Sequence, residues 1–180
     1  GADDNGSGVV GMLEAMRVLS AYNFAHTIKF IGFDLEEIWL GGSRRYVNHD
    51  IPKYERIAGV FNFEMIGYTC SQPDCQKPMS RNFSIIGYGP GGNFILVIAN
   101  EDSLPIKAAY EAHAAEFVPE LRIASAVATG DNQDMVGGSD HWIFWHDGYQ
   151  ALCLSDTGSC RNPNYHTPND TSDTLDFDFM

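Results

Sequence analysis

The chain has 180 residues, 44% of them hydrophobic, 12% aromatic and 19% charged. That is enough for one core and too little for two, so residues 1–180 are read as a single domain. With 11 Lys and Arg against 24 Asp and Glu the formal charge is −13, which argues against a nucleic-acid partner, because neutralising phosphates takes clustered cations. No apolar run approaches the roughly 18 residues of a membrane span, and no basic and apolar leader precedes Gly1, so a soluble mature chain is expected, of oligomeric state left open.

Gly8 to Tyr22 places Val9, Met12, Leu13, Met16 and Leu19 at helical spacing, with Asp4 and Asn5 positioned to cap the start. Thr27 to Phe33 is apolar and β-rich and stops at Asp34-Leu35-Glu36-Glu37, which predicts a buried strand with acids at its carboxyl end. Gly41-Gly42-Ser43 opens a short helix to about Asn48, and Ile57 to Phe63 predicts a second buried strand that again ends on an acid, Glu64. Phe83 to Tyr88 reads as a strand, Gly92 to Glu116 as helical material broken by Pro105, and Arg122 to Ala128 as a strand or edge segment. Ser139 caps a helix through Trp142 and Phe144 to His146, Tyr149 to Leu154 is the last buried strand, and a polar tail follows.

This alternation predicts an α/β fold: a three-layer sandwich with a central, mostly parallel (mixed) sheet flanked by helices. The abrupt start on loop residues and the helix start cut off at Met180 read as a segment trimmed at both ends. The four cysteines fall into local pairs, Cys70 with Cys75 and Cys153 with Cys160, whose spacings do not suit a zinc ribbon. Two loop-clamping disulfides and an extracytoplasmic (secreted or periplasmic) location are expected, with buried free thiols as the alternative.

Ligands of open α/β sheets bind beyond the carboxyl ends of the strands, and there the acids collect: Glu36, Glu37 and Glu64, with Asp3 and Asp4 at a helix amino terminus and His166 in the last loop. Each has a plain explanation when taken singly. Asp3 and Asp4 can be helix-capping acids, Glu36 and Glu37 first-turn acids, and His166 a loop histidine. Glu64, between Phe63 and Met65, is harder to dismiss because a partly buried carboxylate needs a partner. Together they form the donor set of zinc or a similar divalent metal. Of two adjacent glutamates one can bind the metal while its neighbour takes a proton from water. Asp170, Asp173, Asp176 and Asp178 lack the glycine and terminal glutamate of a calcium loop.

Gly1-Ala2-Asp3-Asp4-Asn5-Gly6-Ser7-Gly8, Glu36-Glu37 with Gly41-Gly42-Ser43, Phe63-Glu64-Met65, Ser139-Asp140-His141 and Tyr165-His166-Thr167 resemble, in order and along nearly the whole chain, the zinc-dependent aminopeptidases of the bacterial leucyl aminopeptidase type. The resemblance implies hydrolysis of the first peptide bond of a substrate with a free amino terminus. It implies two zinc ions in a parent enzyme: Asp4 bridging, Glu37 and His166 completing one site, and Glu64 binding at the other. Glu36 would be the general base and Tyr165 would polarise the substrate carbonyl, with Asp3, Asp140 and His141 behind the ligands. Met65, Ile66 and Phe144 are candidates for an apolar pocket, although core packing explains them equally well.

The family's remaining ligand is a histidine in a His-x-Asp motif upstream of this loop, and the chain begins after it. One well-formed zinc site and weak or absent hydrolysis by this segment are therefore expected. Single-zinc glutaminyl cyclases, carboxypeptidases or dipeptidases of the same clan, and a metal-binding domain without activity are the competing readings. An intact Glu36 weighs against the last.

Overall fold

The computed structural model describes residues 1–79, 91–129 and 138–180. The helices are α1 (Gly8–Leu19), α2 (Gly41–Arg45), α3 (Leu104–Phe117) and α4 (His141–His146), and the strands β1 (Val60–Phe63), β2 (Ile95–Asn100), β3 (Ile123–Ala128) and β4 (Ala151–Ser155). The sheet order is β1-β4-β2-β3. β1 runs parallel to β4 and β2 parallel to β3, while β2 and β4 are antiparallel, so the sheet is mixed with its one reversal at the centre.

β2 explains the architecture. All of its six residues are buried, as expected of a central strand covered on both faces. Leu96 and Ile98 point to one core with Phe94, Ala124, Ala126, Ile143, Phe144 and Trp145. Ile95, Val97 and Ala99 point to the other with Ile66, Leu152 and Leu154. Period-two alternation thus feeds two apolar layers from one strand. α4 covers the first layer, and Ile106 and Tyr110 of α3 pack against the second. The three-layer α/β arrangement matches the expectation from sequence.

Several elements differ from it. The Gly92 to Glu116 stretch is a strand followed by a helix, and Pro105 lies in the first turn of α3, where its missing N–H costs nothing. Thr27 to Phe33 has no ladder partner among the described residues and is largely exposed, although Phe33 packs against Tyr46 and Phe144. The Phe83 to Tyr88 strand lies outside the described residues. α1 forms as expected, but its apolar stripe faces outward: Val9, Leu13 and Met16 are exposed, and Gly11 is the position that closes on Ile66. Asp4 and Asn5 do not cap α1, because Asn5 reaches away from it to the end of β1. Likewise Ser139 makes no side-chain cap on α4. No helix of the described residues is long and apolar enough to cross a membrane.

Cys70 and Cys75 form a disulfide, whereas Cys153 and Cys160 are free thiols, which corrects the second expected pairing. Cys153 sits inside β4, between Asn62 of β1 and Ile98 of β2, with its side chain in the first core. Cys160 lies beyond the strand end, in the turn Gly158–Cys160. A core-facing strand residue and a residue of the following turn do not meet at disulfide geometry. Thiol titration without reductant should therefore find two reactive groups in denaturant. In the native protein Cys160 should react well before Cys153, whose thiol burial pushes far up; finding no free thiol in denaturant would contradict this pairing.

Candidate metal centre

The site lies at the carboxyl ends of β1 and β4, and tight local backbone features place its parts. Ala2–Ser7 forms an irregular turn in which Asp4 and Asn5 leave the helical region, so the Asp4 side chain departs from the axis of α1. Gly8 must be glycine, because a Cβ there would lie 2.3 Å from the Phe63 carbonyl oxygen. Gly42 donates its N–H to the Asp34 carbonyl and likewise has no room for a side chain. This close approach pins both ends of the loop that carries Glu36 and Glu37. Leu35, Met65 and His166 have φ of 55°, 52° and 55°. Non-glycine residues rarely occupy this left-handed region, and such strain persists only where surrounding structure enforces it. Here it falls at or beside Glu36, Glu64 and His166.

Asp4, Glu37 and His166 come together, with one donor atom from each within 4.8 Å of the others. His166 Nε2 is 3.1 Å from Asp4 Oδ2 and 2.8 Å from Glu37 Oε1. A cleft of about 480 Å³ opens beside them, lined also by Glu36, Glu64 and Asn5. Two carboxylates and one imidazole converging on a point is a borderline-metal donor set, and the residues present fit a divalent zinc-like ion.

Charge crowding supports that fit. Burial, reinforced by the Glu37 carboxylate, raises the Asp4 pKa, while His166 opposes the shift. Burial and then the Asp140, Glu37 and Asp4 carboxylates push Glu36 up to about 7. Burial pushes Glu64 up to about 8, with Glu36, Asp4 and Asp140 adding to it and a hydrogen bond from Ser139 opposing. Asp140 is itself raised by burial, and its Oδ1 has no hydrogen-bond partner among the described residues. Tyr165 stacks on His166 with ring centroids 3.8 Å apart, and burial with the nearby carboxylates pushes its hydroxyl up to about 12. It is therefore a neutral hydrogen-bond donor near neutral pH.

The remaining expected residues stand behind this centre. Asp3 is fully buried and accepts from Ser7 Oγ, the Gly67 N–H and Asn162 Nδ2, so it braces the turn and is unavailable as a ligand. His141 packs edge-on against Trp145, with Nδ1 3.5 Å from Asn62 Nδ2. Met65, Ile66 and Phe144 are buried and do not line the cleft: Ile66 belongs to one core and Phe144 to the other. Core packing, the alternative held open for these three, accounts for their burial.

The structure gives Ser139 and Asn5 roles other than the helix caps expected of them. Ser139 Oγ donates to Glu64 Oε2 at 2.6 Å while accepting from Asn62 Nδ2. Asn5 donates to the Phe63 carbonyl and accepts from the Met65 N–H, holding the backbone on both sides of Glu64.

Residues 1–180 match Peptidase family M28. The chain belongs to that family. YfbL of Escherichia coli, described as uncharacterized, is 29% identical over all of this chain and 55% of its own length. A probable leucine aminopeptidase 1 of Trichophyton verrucosum is 29% identical over all of this chain and 44% of its own. Among solved structures, a zinc aminopeptidase of Bacillus subtilis superposes with a TM-score of 0.73 at 27% identity, over 99% of this chain and 38% of that one. The chain thus spans about half the length of the curated relatives it matches.

The raised acids set a pH dependence for the metal-free protein. Glu36 and Glu64 bind protons more tightly folded, at about 7 and 8, than at the ordinary 4.5. Between those values the folded chain holds more protons than the unfolded one, so stability is greatest at the acidic end and falls as pH rises. The melting temperature of the metal-free protein should decline from about pH 5 to pH 8, and Glu64→Gln should remove much of the slope. An unchanged slope in that variant would refute the assignment.

Proposed function

We propose that this M28 chain carries the catalytic centre of a zinc-dependent aminopeptidase, hydrolysing the first bond of peptides with a free amino terminus. The observation that carries this reading is the convergence of Asp4, Glu37 and His166 beside a cleft that also holds Glu36. The zinc aminopeptidase of Bacillus subtilis supports it. Asp4, Glu37 and His166 would hold one zinc ion, and Glu64 would contribute to a second position that shares Asp4.

Zinc, when bound, supplies Lewis acidity toward water and the scissile carbonyl. Glu36, poised near neutrality, takes the proton from the attacking water and returns it to the leaving amine. The Tyr165 hydroxyl donates a hydrogen bond to the substrate carbonyl oxygen. Glu64, held by Ser139 and Asn5, receives the positively charged amino terminus. A cluster of acids with no lysine or arginine among the described residues of the cleft suits an ammonium group better than the carboxylate that a carboxypeptidase must grip. The Cys70–Cys75 disulfide supports an extracytoplasmic location.

In a parent enzyme that also supplies the upstream histidine, Glu36→Gln should lower hydrolysis of amino-acid anilides by about 10²- to 10⁴-fold while leaving bound zinc unchanged, since removing a general base costs that much without touching the ligands. Zinc lost together with activity would make Glu36 a ligand; activity retained would end its role as base. Chelation should abolish hydrolysis, and zinc should restore it.

A further inference from the structure

The metal donors occupy loops far apart in sequence, and one buried carboxylate joins two of those loops. Asp170 has a side chain only 2% exposed. Its Oδ1 accepts the Asp3 N–H at 3.0 Å, its Oδ2 accepts the Asp4 N–H at 3.0 Å, and its carbonyl oxygen accepts the Ala2 N–H at 2.9 Å. The contact is close enough that a Cβ on Gly1 would sit 2.5 Å from Asp170 Oδ2. The other end of the same loop is fastened to the same turn, because Asn162 Nδ2 donates to Asp3 Oδ2 at 2.7 Å. His166 lies midway between these two anchors, in a left-handed conformation with Tyr165 stacked on it.

We propose that Asp170 is a positioning residue for the metal centre: by accepting the backbone N–H groups of Asp3 and Asp4 it fixes the Asp4 carboxylate against His166, so the centre is pre-assembled before any ion arrives. The proposal rests on the metal reading given above. Asp170 touches neither metal nor substrate; it acts through the Asp3–Asp4 backbone. Groups that orient metal ligands typically carry a 10- to 100-fold share of affinity, because a donor that must be ordered on binding loses that ordering entropy from the binding free energy. A carboxylate is required here because both of its oxygens accept. In Asp170→Asn one oxygen becomes an NH₂ group facing an N–H donor, which repels the turn without changing side-chain size.

The test is Co²⁺ binding by the complete chain, read from chelator competition and from the visible absorption of the bound ion, for the parent, Asp170→Asn and Thr69→Ala. Thr69→Ala removes a 2.7 Å hydrogen bond from Thr69 Oγ1 to Asp176 Oδ2 and is the control for simple loss of stability in the same tail. The expected result for Asp170→Asn is about 10- to 100-fold weaker binding with an altered absorption band, while Thr69→Ala keeps the parent's affinity and band. Parent-like affinity and band in Asp170→Asn would overturn the proposal whatever happens to its melting temperature. Absence of Co²⁺ binding by the parent would overturn the metal reading itself and this proposal with it. Should Asp170→Asn not fold, amide hydrogen exchange of the metal-free parent decides. Protected Asp3 and Asp4 amides support the latch, and exchange at the unprotected rate overturns it.

Discussion

Carboxylates of Asp4, Glu36, Glu37, Glu64 and Asp140 share one half-buried end of the sheet, where burial first, and repulsion between neighbouring acids second, is what the surrounding architecture has to withstand. In water such charges would spread apart or keep their solvation; here backbone and burial hold them together. The molecule meets part of that strain with a hydrogen bond from Ser139 Oγ to Glu64 Oε2. It also places an imidazole between two of the acids. A bound divalent cation would relieve the remainder, which is why charge crowding and metal affinity are two descriptions of one arrangement.

The rigid part of the protein makes this tolerable. β2 serves two apolar layers, and the strands that deliver Glu64 and the Asp156 to His166 segment, β1 and β4, lie side by side in register. Of the candidate site residues, Glu64 and His166 sit on segments that follow these strands, the place where a packed sheet gives firm footing and an open edge gives access. Buried Asp3 and Asp156, each accepting backbone N–H groups, extend the same polar bracing under the site.

The chemistry was more legible in the sequence than some of the elements that carry it. Residue types and their places along the chain were enough to gather Asp3, Asp4, Glu36, Glu37, Glu64 and His166 as one donor pool, because both are local signals, and the resemblance to zinc aminopeptidases singled out Asp4, Glu37 and His166 among them. The Thr27 to Phe33 segment shows the limit: an apolar, β-rich composition states a preference, but a strand exists only where a neighbour supplies a ladder. Pro105 misled for a different reason, since a proline that breaks a helix interior equally starts a helix, and only the buried run before it decides. Cys153 and Cys160 were close in sequence yet set apart by the direction of one strand residue. The partners of Asn5, Ser139 and Asp170 were out of reach because they lie many tens of residues away, and no local pattern marks a side chain by what it will meet.

The latch between Asp3 and Asp170 spans 167 positions, and this governs when the site can come into being. During synthesis the Asp4 and Glu37 loops emerge early, but no complete donor set exists until His166 and its anchor have left the ribosome and the intervening sheet has closed. Contacts of such sequence separation are slow to form because chain entropy must be given up first. A chain that stops short of His166 therefore lacks one member of the proposed donor set. The timing would confine the proposed metal capture, and the hydrolytic chemistry that depends on it, to molecules that have already folded.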